Sequence, residues 1–158
     1  IPKLTRLAFA KKVRQLISDE QNALNAFQLG VAYYNASYYG LQWDLLAYDR
    51  YYSSPYGNVD MRISEKYLNK ALSIGGLNTE QQAQTYFMLA RCEQNRYTVK
   101  NGEFTESYDG NNAFFIDFER MKRSLYMRNF EILANNYKGT ASYKEIIKEC
   151  KYFTYYLN

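Results

Sequence analysis

Seven tyrosines and the chain's single tryptophan fall between Val31 and Tyr52, in VAYYNASYYGLQWDLLAYDRYY. A tyrosine or tryptophan ring pairs an apolar body with a polar tip, so such residues either fill a core or present a recognition surface. Rigid rings lose little entropy on binding, which suits them to holding a peptide or a glycan. Asp44 and Asp49 lie among them, Asn58 follows shortly after, and all three could meet a ligand's polar groups. A smaller aromatic group, Phe104 and Tyr108, lies in TVKNGEFTESYDGN at 98–111.

The residues that carry covalent or metal chemistry are sparse. There is no histidine, so the commonest general base and metal ligand is missing, and serine–histidine or cysteine–histidine sites cannot form within the chain. Cys92 and Cys150 are too few for a disulfide framework and lack CxxC spacing; each reads as a small buried hydrophobe. Gly75-Gly76 stops a helix and does not build a phosphate loop. The pairs Asp44/Asp49 and Asp117/Glu119 share no helical face with an apolar pocket. ESYDGNN lacks the order and the distal glutamate of a calcium loop, and reads as a turn. No enzymatic activity, metal or cofactor is expected.

The formal charge is +4, with basic and acidic residues interspersed as in KEIIKECK and FERMKR, the pattern of a solvated helix face. The densest basic cluster, RLAFAKKVR at 6–14, is short and carries no nucleic-acid-binding motif, so no nucleic acid partner is expected. No run is long enough to span a membrane, so no direct insertion is expected. The sequence opens at Ile1, which reads as part of a longer chain whose upstream domains could be partners. Its 158 residues suit one domain with a real core.

Helical periodicity positions these residues throughout. A first helix is predicted over 4–17, with Leu7, Val13, Leu16 and Ile17 on its apolar face. A second opens at Asp19-Glu20 and runs to about Gly40. It packs Leu24, Phe27, Val31 and Tyr34 on one side and Ala26, Leu29, Gly30 and Tyr33 on the next. SSPYGN at 53–58 is a turn cluster. A third helix follows over 59–74, packing Ile63, Tyr67, Leu68 and Ala71. Asn78 with Gln81 has capping-box spacing and opens a fourth helix to Tyr97. Residues 98–111 are expected to loop, Asn112 to cap a fifth helix to Tyr137, and a closing helix to fill 140–156.

FQLGVAYY (27–34) and YFMLARCEQ (86–94) align, with Leu29 matching Leu89 and Gly30 matching Ala90. KYLNKALSIGG (66–76) and RNFEILANNYKG (128–139) close the two units in a comparable way. This pattern resembles the tetratricopeptide repeat, a helix–turn–helix unit stacked into a solenoid. Its usual tryptophan and terminal proline are absent. Leu29 to Ala71 spans 42 residues and Leu89 to Leu133 spans 44, where a repeat of that kind has about 20. Each unit therefore carries an insertion between its helices. The whole pattern also resembles the C-terminal part of large Bacteroidetes-type helical-repeat proteins, which are secreted or envelope-associated, and this implies an extracytoplasmic location.

The resemblance implies an all-α, right-handed α-α solenoid of about six helices in a single domain over 1–158. The first helix at 4–17 is followed by one repeat unit at 20–76, a second at 78–139 and a closing helix at 140–156. Equivalent insertions of a solenoid emerge on one edge. Tyr39, Trp43, Tyr51, Tyr52, Tyr56, Phe104 and Tyr108 would share that edge, either as a binding surface or as a satellite core that roofs the helix ends. Leu41, Leu45, Leu46 and Tyr38 are expected inside. The resemblance also implies a concave face with Phe27, Val31, Tyr34 and Asn35 on one helix and Gln84, Phe87, Arg91, Gln94 and Asn95 on the next. Arg91 with Asn35 and Asn95 could hold a carboxylate or a peptide backbone. The expected function is a scaffold for a protein, peptide or glycan; the rival is a structural segment that packs on other domains.

Overall fold

The computed structural model describes residues 4–46, 61–101 and 119–158. Helices, turns and coil account for all of them, and no strand occurs among the described residues. The chain divides into two compact units, Ile1–Leu77 and Asn78–Asn158.

Unit 1 holds three helices. α1 (Arg6–Ile17) starts where Thr5 turns extended and its hydroxyl accepts from the Ala8 N–H, 3.2 Å away. α2 (Ala23–Asn35) starts at Asn22, whose side-chain oxygen accepts from the Leu24 and Asn25 N–H groups. Each cap satisfies donors that the first helical turn leaves without a carbonyl. α3 (Arg62–Ile74) ends at Gly75 and Gly76, whose φ values of +79° and +84° are open to glycine at little cost. Phe9 on α1 shares a cluster with Ala36 just past α2, whereas Leu16 near the end of α1 meets Leu29, so α1 and α2 run antiparallel. α2 and α3 are antiparallel too. Ala23 and Ala26 pack with Ala71 and Leu77 at one end, and Tyr33 stacks on Tyr67 at the other, with ring centroids 5.7 Å apart.

The closest approach of α2 and α3 is at Gly30. A Cβ there would sit 2.5 Å from Leu68 Cγ and 3.1 Å from the Leu68 backbone nitrogen. The Ser64 hydroxyl uses that proximity to donate to the Gly30 carbonyl at 2.7 Å.

Unit 2 is organised by its longest helix, α4 (Thr79–Asn101). Its start is the capping box: Gln81 N–H donates to Asn78 Oδ1 at 2.9 Å, and Asn78 N–H donates to Gln81 Oε1 at 3.0 Å. α5 (Arg128–Asn136) runs antiparallel to α4. Tyr137 donates to Gln82 near the start of α4, while Tyr126 lies edge-on to Tyr97 near its end. α6 (Ala141–Glu149) and α7 (Lys151–Leu157) follow, with Thr140 capping α6. The core is built from Phe130, Phe153 and Tyr143: Phe130 stacks on Phe153 at 5.3 Å and Tyr143 meets Phe153 edge-on at 5.4 Å.

Two carboxylates of α4 close the first turns of later helices. Glu93, itself buried, accepts from Asn129 N–H at 3.1 Å and from its amide at 2.7 Å. Glu80 accepts from the Ala141 and Ser142 N–H groups at 2.8 and 2.9 Å. A negative group suits a helix N-terminus because the unpaired N–H groups there carry partial positive charge.

Several expectations need correction. The inner face of α1 is Phe9, Val13 and Leu16, whereas Leu7 and Ile17 are exposed, because the helix turns its cluster of cations and Leu7 outward. α2 is shorter at both ends than predicted, and Leu24 is exposed on its first turn. Ser64 is the buried residue at the start of α3 and Ile63 is exposed. α4 continues through 98–101, where a loop was expected. The helix expected to end at Tyr137 is interrupted: 119–122 is helical, Ser124 turns extended and caps a short 3-10 turn at Leu125–Met127, and α5 starts anew. The closing helix breaks at Cys150, whose ψ of 96° leaves the helical region.

Candidate functional site

A groove of about 600 Å³ opens in unit 2 between α4, α6 and the first residues of α7. That size falls in the range of ligand-binding clefts. Helical spacing builds both walls. On α4, Gln84, Phe87, Arg91 and Gln94 recur every three or four residues and so share one face. On α6, Ser142, Glu145, Ile146 and Glu149 do the same. Cys150, Lys151 and Tyr152 close the far end.

The two walls run in the same direction, from Gln84 beside Ser142 to Arg91 near Cys150. Gln84 donates its amide N–H to Ser142 Oγ at 3.1 Å, across an offset of 58 residues. Gln94 hydrogen-bonds Tyr152 at the same offset. One bridge thus ties α4 to the start of α6 and the other ties it to α7, past the break at Cys150. The floor is apolar where Phe87 and Ile146 lie, and the Arg91 guanidinium sits over the Phe87 ring, 5.9 Å from its centroid.

Charges of both signs line the walls. Glu145 and Glu149 are exposed and make no hydrogen bond or ion pair among the described residues. Arg91 is half-buried, and Lys151 lies over the Tyr155 ring at 5.7 Å. Burial pushes the Cys150 thiol up, opposed in part by Phe153's backbone N–H and the Arg91 charge, so at neutral pH it is a protonated, weak nucleophile. Burial also raises Tyr152, against the hydrogen bond from Gln94. Neither Cys150 nor Cys92 is in a disulfide. Among the described residues no cluster of three metal-ligating side chains forms and no helix is long and apolar enough to cross a membrane.

Of the residues singled out from the sequence, Gln84, Phe87, Arg91 and Gln94 line the groove together. Asn95 lies on α4 but is buried and off the groove. Asn35 is the last residue of α2 in unit 1, where its carbonyl accepts from Gln42 N–H at 2.9 Å. Tyr39 is half-buried against Tyr38, edge to face at 5.2 Å. Trp43 is half-buried in a 3-10 turn, Trp43–Leu45. That turn folds back on unit 1: Leu45 joins the Phe9 cluster, and Arg6 donates twice to the Asp44 carbonyl. Leu41 and Leu46, expected inside, are exposed, because only Leu45 of the three points at Phe9. Tyr51, Tyr52, Tyr56, Phe104 and Tyr108 lie outside the described residues.

Sequence reading missed the second wall. The charges of KEIIKECK read as a solvated face, yet Ser142, Glu145, Ile146 and Glu149 keep a heptad-like spacing that marks a face of mixed character. No protein-family profile, curated protein or solved structure matches this chain.

Proposed function

We propose that this chain is a non-enzymatic interaction scaffold whose unit 2 groove holds a segment of a peptide or protein. The observation that carries the reading is the pairing of two helical faces around a cleft of about 600 Å³, one with amides, a cation and an aromatic ring and the other with a hydroxyl, two carboxylates and an isoleucine. Such a lining suits an extended polypeptide, whose backbone needs donors and acceptors while its side chains need both apolar and charged neighbours. A glycan fits less well, because the face of Phe87 that would stack on a sugar is covered by Arg91. The tetratricopeptide-like right-handed solenoid is part of the same proposal. Supporting it are the antiparallel pairs α2–α3 and α4–α5 and the parallel run of α4 and α6, as expected for first helices of successive repeats.

Random peptides displayed on phage and panned against the whole chain test this, with Phe87→Ala/Ile146→Ser as the counter-screen. Peptides enriched on the wild type and lost on the variant are expected. Equal recovery on both would overturn the reading. A second reading, a structural segment that packs on other domains, draws on the exposure of Leu4, Leu7 and Ile17 on or beside α1. It predicts that no peptide is retained.

A further inference from the structure

α1 has a second face that unit 1 leaves uncovered. Helical spacing gathers Phe9, Val13 and Leu16 on the inner side, where they join the core clusters. The same spacing gathers Leu7, Ala10, Lys11, Arg14 and Ile17 on the opposite side, an arc of about 120° at 3.6 residues per turn. All five are exposed, Leu7 at 66 %. The helix is also purely basic, since no acidic residue occurs from 4 to 18. The side chains of Lys11, Lys12 and Arg14 make no hydrogen bond or ion pair among the described residues. Arg6 is turned aside to the Asp44 carbonyl and plays no part. The next two acids are already engaged: Asp19 accepts from the Asn25 amide, and Glu20 pairs with Lys70 at 2.7 Å.

Independently of the groove, and giving a chemistry to the second reading above, we infer that this face of α1 docks an acidic amphipathic helix of a partner protein. Leu7 and Ile17 mark its two ends, about 15 Å apart along the axis. Lys11 and Arg14 lie between them, about one turn apart, and Ala10 lets a partner backbone come close. The complement is a helix with apolar residues roughly three turns apart and two carboxylates, one turn apart, between them. A second copy of the chain fits poorly, because it would set the same three unpaired cations against one another. A lipid surface also fits less well. An interfacial helix sinks its apolar stripe into the lipid and keeps its cations on the polar face. The apolar stripe of α1 is taken up inside unit 1, and Lys11 and Arg14 stand in the middle of what remains. Cations so placed need carboxylates at fixed positions, which a folded partner supplies.

The test pans phage displaying helix-forming peptides of about 20 residues, long enough to be helical alone, against the whole chain carrying Phe87→Ala/Ile146→Ser, so that the groove is disabled. Peptides with two acids one turn apart between apolar residues are expected. Adding Lys11→Glu/Arg14→Glu, both at exposed positions, should weaken their binding about tenfold, the scale of two exposed ion pairs turned repulsive. Leu7→Ser, which also leaves the inner face of α1 intact, should weaken it as well. Retained peptides without the acidic pair, binding that survives the charge reversal, or no peptide retained would overturn the inference and leave the groove reading standing. Capture on phosphatidylserine vesicles without peptide binding would overturn it in favour of a lipid surface. Sedimentation as a dimer that Leu7→Ser dissociates would overturn it in favour of a second copy.

Discussion

Gly30→Ala tests the packing of unit 1 directly. Alanine is the better helix former by about 1 kcal/mol, so on propensity alone the change would stabilise α2. The added methyl, however, would lie 2.5 and 2.7 Å from Leu68 side-chain atoms and 3.1 Å from the Leu68 backbone nitrogen. A rotamer change could move the first two atoms. It cannot move the third, and Leu68 is fully buried. The helices must part, at a cost of about 1–3 kcal/mol for overpacking. Parting also stretches the 2.7 Å bond from Ser64 to the Gly30 carbonyl, worth about 1 kcal/mol. Together these outweigh the propensity gain and leave a net loss of about 2 kcal/mol, or roughly 4–8 °C in melting temperature for a chain of this length. Urea and thermal unfolding followed by circular dichroism measure it. Leu68→Ala alone should cost about 2–5 kcal/mol, yet in that background Gly30→Ala should cost less than it does in the wild type, because the two side-chain clashes are gone and only the 3.1 Å contact with the backbone nitrogen remains. Additive effects, or a Gly30→Ala protein that melts higher than wild type, would refute the reasoning.

Other expectations concern unit 2. The N–H groups of Ser142 and Ala141 hold the Glu80 carboxyl below its ordinary value, so its stabilising contribution is complete above the unfolded carboxylate's pKa and is lost as pH falls through the lower, folded one. Glu80→Gln should therefore lower stability at neutral pH and leave a shallower decline on acidification, read from urea midpoints between about pH 7 and 3. Phe153→Ala, which empties the centre of the Phe130–Tyr143–Tyr156 cluster, should cost about 3–5 kcal/mol in the same assay. Asn78→Ala should cost about 0.5–2 kcal/mol by removing the capping box, and Asn78→Ser should restore most of it.

Features set by local chemistry were legible in the sequence. The Asn78–Gln81 box and the Gly75-Gly76 stop both depend on neighbours within a few residues. Gly30 was readable as a close-approach position because a small residue in an apolar helical run has few other uses; Ala90, its match, is buried. What failed was orientation that distant residues decide. Leu7 and Phe9 are equally apolar, and only the placement of α2 says which turns inward. The break at Cys150 carries no glycine or proline; it goes with the fit of Phe153 and Tyr156 onto Phe130, and the Thr154 hydroxyl donates to the Ile147 and Cys150 carbonyls beside it. Half of the groove was visible for the same reason: the α4 wall reads from its period, whereas the α6 wall looks like an ordinary charged surface until it is seen facing Phe87 and Arg91.

The carboxylates of Glu80 and Glu93 have a consequence for how unit 2 breathes. Amides in the first turn of a helix usually trade hydrogen with solvent early, since no carbonyl covers them. Here Asn129 is shielded by a residue 36 positions earlier, and Ala141 by one 61 positions earlier, both on α4. Protection at the starts of α5 and α6 should therefore depend on Glu93 and Glu80 as well as on those helices themselves, and should fall when either carboxylate is replaced.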